Sequence, residues 1–165
     1  MKASPSPRTQ ATTIKYIELI AQTHGYQVQA RKKDPKGAPY EKTFLPDVIA
    51  TRYIGKSKRV FEVEATVTNN TIYKSLLSLL TALKNGATNA YLVVPDKRVD
   101  FAAGCYSNLK TVILHYSKLA KGPAPKIKLD ILSFSDISID YKKAKEYEAK
   151  SRCGQPPKCA FLPRR

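Results

Sequence analysis

Three acidic residues lie within two short apolar segments of this sequence. Asp47 lies within residues 44–50, and Glu62 and Glu64 lie within residues 59–66; both segments are typical of strands. Because strand side chains alternate between faces, Glu62 and Glu64 are expected to point to the same side. A carboxylate in an apolar strand is costly unless it pairs with a cation or binds a metal. The three acids therefore predict a site for a hard divalent cation, since such ions prefer oxygen ligands.

The same residues resemble the PD-(D/E)xK nuclease superfamily, which includes restriction enzymes and Holliday-junction resolvases. The family pattern is a Pro-Asp pair followed, on the next strand, by a Glu-x-Lys-like triplet, and Pro46-Asp47 and Glu62-Val63-Glu64 match it. The resemblance covers roughly residues 11–135. It implies that Asp47, Glu62 and the backbone carbonyl of Val63 hold Mg²⁺, with Mn²⁺ as a possible substitute.

The sequence departs from the family pattern at Glu64, where the family usually has lysine. Some restriction enzymes of this superfamily also have glutamate there and are active. Glu64 would then orient or deprotonate the attacking water or bind a second ion, or else Lys74 on the following helix supplies the missing ammonium. In several branches an acid on the first helix supports the metal cluster, and the resemblance gives that role to Glu18.

Each of these residues also has a simpler interpretation. Asp47 could be a turn residue after Pro46, and Glu62 and Glu64 could lie on a solvated sheet face opposite lysines. Glu18 could be an ordinary solvated helix residue, and Lys74 could merely contact phosphate. The spacing of the three strand acids and the basic composition favour the metal site.

The composition points to an anionic partner. The chain has 165 residues and a formal net charge of +16, from 29 Lys and Arg against 13 Asp and Glu. Such a charge fits nucleic acid first and an anionic membrane surface second. The basic residues predicted to bind phosphate around the acids are Arg31, Lys32, Lys33, Lys56, Lys58, Arg59, Lys142 and Lys143. The alternative for these clusters is a solvated surface.

The longest apolar runs and the number of cysteines indicate where in the cell the protein is expected. No stretch of eighteen apolar residues exists, so no membrane span is expected. Three cysteines form no even disulfide framework, which favours an intracellular, cytoplasmic or nucleoid-associated protein. Cys153 and Cys159 have too few partners for a closed zinc site.

Periodicity predicts helices and strands in the order α-β-β-β-α-β-α-β. The predicted helices are 12–24, one from about 69 or 70 to 85, and 99–116; the predicted strands are 26–32, 44–50, 59–66, 90–95 and 126–133. In the second helix an apolar stripe includes Ile72, Leu76 and Leu79, and Ser78 is expected to face elsewhere. The predicted fold class is α/β, with a mixed central sheet flanked by helices and the αβββαβ core that the resemblance requires.

Three segments are predicted along the chain. Residues 1–10 read as a flexible tail, 11–140 as the nuclease-like domain, and 141–165 as a basic C-terminal tail. The expected function is metal-dependent endonucleolytic cleavage of duplex or branched DNA, restriction-like or structure-selective, by a homodimer or a subunit of a larger nucleic-acid-processing complex. The alternative is a non-catalytic nucleic-acid-binding module that retains the fold.

Overall fold

The computed structural model describes residues 10–30, 46–150 and 154–161. The helices are α1 (Gln10–Thr23), α2 (Asn69–Lys84), α3 (Val99–Leu119) and α4 (Phe134–Ala149). The strands are β1 (Gln27–Ala30), β2 (Val48–Arg52), β3 (Ser57–Val63), β4 (Asn89–Val94) and β5 (Leu129–Ser133). A short 3₁₀ turn, Asp96–Arg98, joins β4 to α3.

The five strands form one mixed sheet in the order β1-β2-β3-β4-β5. β1, β2 and β3 pair antiparallel, whereas β3, β4 and β5 pair parallel. Parallel strands need crossover connections, and α2 and α3 provide them. The predicted α/β class, with a mixed sheet flanked by helices, is confirmed.

Each face of the sheet is covered by two helices. Phe61 and Val63 of β3 belong to the core beneath α1 and α4, and Val60 belongs to the core beneath α2 and α3. This alternation follows from the two-residue period of a strand. Glu62 therefore lies on the face that α2 covers.

The topology gives the sheet two chemically different edges. β3, β4 and β5 all end at one edge, here called the carboxyl edge, and the antiparallel β2 begins there. Asp47 directly precedes β2 and Glu64 directly follows β3, so both lie at the carboxyl edge. The opposite edge, where β3, β4 and β5 begin, is called the amino edge.

The C-terminal part of the chain differs from the predicted tail. The predicted boundary at residue 141 falls inside α4, and Phe161 is buried against Phe61 and Tyr91. The backbone N–H of Ala160 donates to Asp140 Oδ2 at 2.6 Å, which fastens this segment to α4. Residues 154–161 therefore pack on the domain.

No helix in the described ranges is both long and apolar enough to cross a membrane.

Candidate functional site at the carboxyl edge

Asp47 and Glu62 are neighbours across β2 and β3. The register pairs Val48 with Phe61, which places Asp47 opposite Glu62. Both residues are buried, with 8% and 7% of their surface exposed. Asp47 Oδ2 accepts hydrogen bonds from the backbone N–H of Val63 at 2.9 Å and from Gln10 Nε2 at 3.1 Å. Donors from β3 and α1 thus fix the Asp47 carboxylate.

The Glu62 carboxyl group is strongly perturbed. Burial, followed by the negative charge of Asp47, raises the pKa of Glu62 to about 9. A hydrogen bond with the Ser78 hydroxyl opposes this shift, whereas a hydrogen bond with Asp47 adds to it. Without a cation the Glu62 carboxyl group is therefore protonated near neutral pH.

Glu64 is half-buried just beyond the end of β3. The Ser75 hydroxyl donates a hydrogen bond to Glu64 Oε1. Burial raises the pKa of Glu64 and the charge of Asp47 adds to the shift, while the Ser75 hydrogen bond and the charge of Lys74 lower it. Lys74, exposed on α2, is therefore close enough to stabilise the ionised form of Glu64.

Helix α2 positions Ser75 and Ser78 beside the glutamates at the end of β3. It begins after Thr68, whose side chain accepts from the backbone N–H of Thr71 in a capping box. Ser75 and Ser78 are three residues apart, so they share a face, and they are 3% and 2% exposed. The expectation that Ser78 faces away from the apolar stripe is wrong, because its hydroxyl hydrogen-bonds with the buried carboxyl group of Glu62.

Gln10, Ser75 and Ser78 are site residues that the sequence pattern does not identify. The two serines interrupt an apolar helix face that also contains Ile72 and Leu79. Buried hydroxyl groups require hydrogen-bond partners, so this interruption was a usable signal. Gln10 had no comparable signal, because its partner Asp47 lies 37 residues away.

Glu18 is not brought into the group. It lies two turns beyond Gln10 on α1, about 12 Å along the helix axis. Among the described residues, the charges that perturb Glu62 and Glu64 come from Asp47, Lys74 and the two glutamates themselves.

The predicted basic clusters lie in different places. Lys56 and Lys58 are at the amino edge, at the opposite end of β3 from the acids. Lys142 and Lys143 are exposed on α4, where Lys143 Nζ is 3.2 Å from Asp140 Oδ1. Arg31, Lys32 and Lys33 lie outside the described residues.

Arg59 is engaged inside the protein. Its guanidinium donates to the hydroxyl of Tyr26 at 3.1 Å, to the hydroxyl of Tyr91 and to the backbone carbonyl of Phe161. Among the described residues, the exposed cations at the carboxyl edge are Lys74 and two residues absent from the predicted clusters, Lys97 and Arg98, in the turn after β4.

The side chains at the carboxyl edge offer few metal ligands. In the described part of the chain, no group of three or more His, Cys, Asp or Glu side chains is arranged to hold a metal. Asp96, also at the carboxyl edge, accepts hydrogen bonds from the backbone and hydroxyl of Ser135. Among the described residues, the two neighbouring buried carboxyl groups that could serve as metal ligands are those of Asp47 and Glu62. Two buried carboxylates repel each other, and a bound cation would relieve this repulsion. Their oxygens suit a hard cation whose remaining ligands are backbone oxygen and water.

Comparison of the chain with protein-family models, with curated proteins and with solved structures finds no match. The chemistry of the carboxyl edge is therefore the basis for assigning a function.

Proposed function

We propose that this protein is a metal-dependent DNA endonuclease of the PD-(D/E)xK type. The observation that carries the proposal is the buried Asp47–Glu62 pair at the carboxyl edge, with Glu64 two residues further along the chain, just beyond the end of β3. The α-β-β-β-α-β order and the β1-β2-β3-β4 strand order, antiparallel and then parallel, agree with the core that the resemblance implies.

Asp47, Glu62 and the Val63 carbonyl would hold Mg²⁺, or Mn²⁺ in its place. Such an ion, when bound, polarises a scissile phosphate and lowers the pKa of an attacking water. Asp47 is already oriented by Gln10 Nε2 and by the Val63 N–H. Glu62 is held by Ser78, whose hydrogen bond favours the ionised form that a cation requires.

Glu64 would orient the attacking water and accept its proton. Its raised pKa moves the carboxylate toward the operating pH, which suits a general base, and Ser75 fixes its position. Lys74 is exposed and acts on Glu64 through its charge. These contacts favour Glu64 over Lys74 as the residue that replaces the family lysine.

Lys74, Lys97 and Arg98 would hold the phosphates of the substrate. Their positive charge at the carboxyl edge would offset repulsion between phosphate and the three carboxylates. The net charge of +16 suits DNA, either duplex or branched. Cutting both strands takes two sites, which a homodimer or a larger nucleic-acid-processing complex would supply.

A second candidate function is nucleic-acid binding without catalysis. It is favoured by the glutamate at the lysine position and by a side-chain donor set of two carboxylates among the described residues. The two candidates differ in a single property, which is turnover.

The test is cleavage of duplex, single-stranded and four-way-junction DNA in Mg²⁺, Mn²⁺ or EDTA. We expect cleavage with either ion, and we expect Asp47→Ala and Glu62→Ala to abolish it while DNA binding is retained, because loss of an acid relieves repulsion with phosphate. Glu18→Ala is the matched control and should cut normally. Cleavage by both site variants at the wild-type rate would overturn the assignment, and a wild-type protein that cuts with neither ion would leave the binding function.

A further inference from the structure

The amino edge of the sheet is strongly basic. Backbone hydrogen bonds join Thr88 N to Lys58 O at 2.7 Å and Ala90 N to Lys128 O at 2.9 Å, which shows that the starts of β3, β4 and β5 lie side by side. Helices α2 and α3 end at this edge. The lysines in its connections and flanking turns are Lys56, Lys58, Lys84, Lys118, Lys121, Lys126 and Lys128.

This edge has little opposing charge. The connections 53–56, 85–88 and 120–128 contain no Asp or Glu. Asp130 on β5 is exposed nearby, and Glu146 and Glu148 lie in the last turn of α4 beneath the other face of the sheet. The lysines thus form a surface of one sign, separated from the acids of the carboxyl edge by about 17 Å along β3 from Ser57 to Glu62.

The β2–β3 hairpin presents apolar side chains at this basic edge. Tyr53 is 74% exposed and Ile54 is 77% exposed. Both precede Gly55 and Lys56, which have φ values of 85° and 47°. The turn closes by a hydrogen bond from Lys56 N to Tyr53 O at 3.2 Å, and Arg52 Nε donates to the Ile54 carbonyl at 3.1 Å. The tip is therefore a defined loop whose aromatic side chain faces solvent.

We propose that the amino edge is a second nucleic-acid-binding surface, which takes unpaired bases. Tyr53 would stack on one base and Ile54 would contact the next base of the strand. Lys56 and Lys58 would contact the flanking phosphates. An exposed aromatic ring among cations is the arrangement that binds single strands without base-specific hydrogen bonds. The surface is independent of the metal site, so the proposal stands or falls separately from the nuclease assignment.

The absence of tryptophan from the sequence permits a direct test. Tyr53→Trp introduces a single tryptophan at the hairpin tip. Val112→Trp introduces one in the middle of α3, where the native valine is 49% exposed and lies about 10 Å along the helix from its end at the amino edge. Each variant is titrated with a twelve-nucleotide oligothymidylate in EDTA, and tryptophan fluorescence is recorded. We expect saturable quenching of Tyr53→Trp and no change in Val112→Trp.

Affinity supplies the second measurement. Tyr53→Ala should weaken oligothymidylate binding about tenfold, because stacking of one base on an aromatic residue is worth on the order of one decade or more in affinity. Val112→Ala should leave the affinity unchanged. The Lys56→Ala, Lys58→Ala double variant should reduce the slope of log K against log salt by about 1.4, at about 0.7 per phosphate on a single strand. A Lys15→Ala, Lys110→Ala pair, at exposed positions on α1 and in the middle of α3, is its control.

The proposal is overturned if Tyr53→Trp is not quenched, or if both tryptophan variants are quenched equally. Vesicles of phosphatidylserine and phosphatidylcholine are the third titrant. A blue shift of Tyr53→Trp on vesicles, with oligothymidylate having no effect, would assign the hairpin to an anionic membrane surface and also overturn it.

Discussion

At the scale of single residues, Glu62 makes stability depend on pH. Its pKa is about 9 in the folded protein and near 4.5 in the unfolded chain, so folding takes up a proton between these values. The free energy of unfolding therefore falls as pH rises through this window, by up to about 1.4 kcal/mol for each pH unit. Glu62→Gln should be more stable than wild type, with an advantage that grows from pH 5 to pH 9.

Urea denaturation in EDTA at pH 5, 7 and 9 measures this effect. Glu18→Gln is the matched control, because Glu18 is a half-buried glutamate outside the acidic group. It measures how the loss of a glutamate side chain outside the acidic group alters the dependence of stability on pH. A Glu62→Gln advantage that grows no more between pH 5 and pH 9 than the Glu18→Gln difference would contradict the burial and charge coupling assigned to Glu62.

Two further residues test which group would act in place of the lysine that is usual in the PD-(D/E)xK superfamily. If Glu64 acts as a carboxylate, Glu64→Gln should lose most activity and Glu64→Lys should not restore it, since a protonated lysine cannot accept a proton. Lys74→Ala should then reduce the rate only mildly. Single-turnover cleavage against Mg²⁺ concentration measures all three variants. If Lys74→Ala loses most of the cleavage rate and Glu64→Gln loses little, the role belongs to Lys74.

The acids of the site could be predicted from sequence because each one breaks a local apolar pattern. Asp47 and Glu62 stand out within their own strands. Their hydrogen-bond partners could not be found in this way, because Gln10 and Ser78 reach them from separate helices. A local sequence pattern predicts which charged residue is costly to bury. Only the packed structure shows which hydrogen-bond donors offset that cost.

At the scale of elements, the strands and the first three helices were predictable from periodicity, but α4 was not. Its inner face is narrow, with Ile137 and Ala144 buried beside the polar Asp140, so no apolar stripe is visible in sequence. Helix α3 shows the reverse. Periodicity alone places Val112 on the apolar face of α3 with Cys105, yet Val112 is 49% exposed, because the buried residues of α3, Ala102 and Cys105, lie in its first half.

The C-terminal segment gives the element-scale prediction. Phe161 is 1% exposed and packs edge-on against Phe61 at a centroid distance of 5.0 Å. Phe161→Ala should lower the free energy of unfolding by about 3–5 kcal/mol, as cavity-forming Phe substitutions do. Phe101→Ala, at a residue that is 38% exposed, is the control and should cost much less. Equal losses in urea denaturation would contradict the packing of residues 154–161 on the core.

This packing changes how the basic C-terminal residues should be studied. Deletion of residues 141–165 would cut α4 and remove Phe161 from the core, so it would test folding rather than nucleic-acid binding. Point substitutions at exposed Lys142 and Lys145 leave both intact. They measure the contribution of α4 to the salt dependence of binding.

At the scale of the whole molecule, charge is separated along the strands. Carboxylates that suit a metal lie at the carboxyl edge, and a lysine-rich surface with an exposed tyrosine lies at the amino edge. Composition alone predicts an anionic partner from the net charge of +16. The separation could not be predicted from composition, because it arises from which loops the strand order brings together. Lys56 and Lys128, for example, are 72 positions apart in sequence yet lie at one edge.

We propose above all that Asp47, Glu62 and the Val63 carbonyl hold a divalent metal. The most direct measurement is anomalous diffraction from crystals of the protein grown with Mn²⁺. We predict an anomalous peak in contact with one carboxylate oxygen of Asp47, one of Glu62 and the Val63 carbonyl oxygen, and its loss in Glu62→Gln. A peak located only elsewhere, or an unchanged peak in Glu62→Gln, would contradict the account.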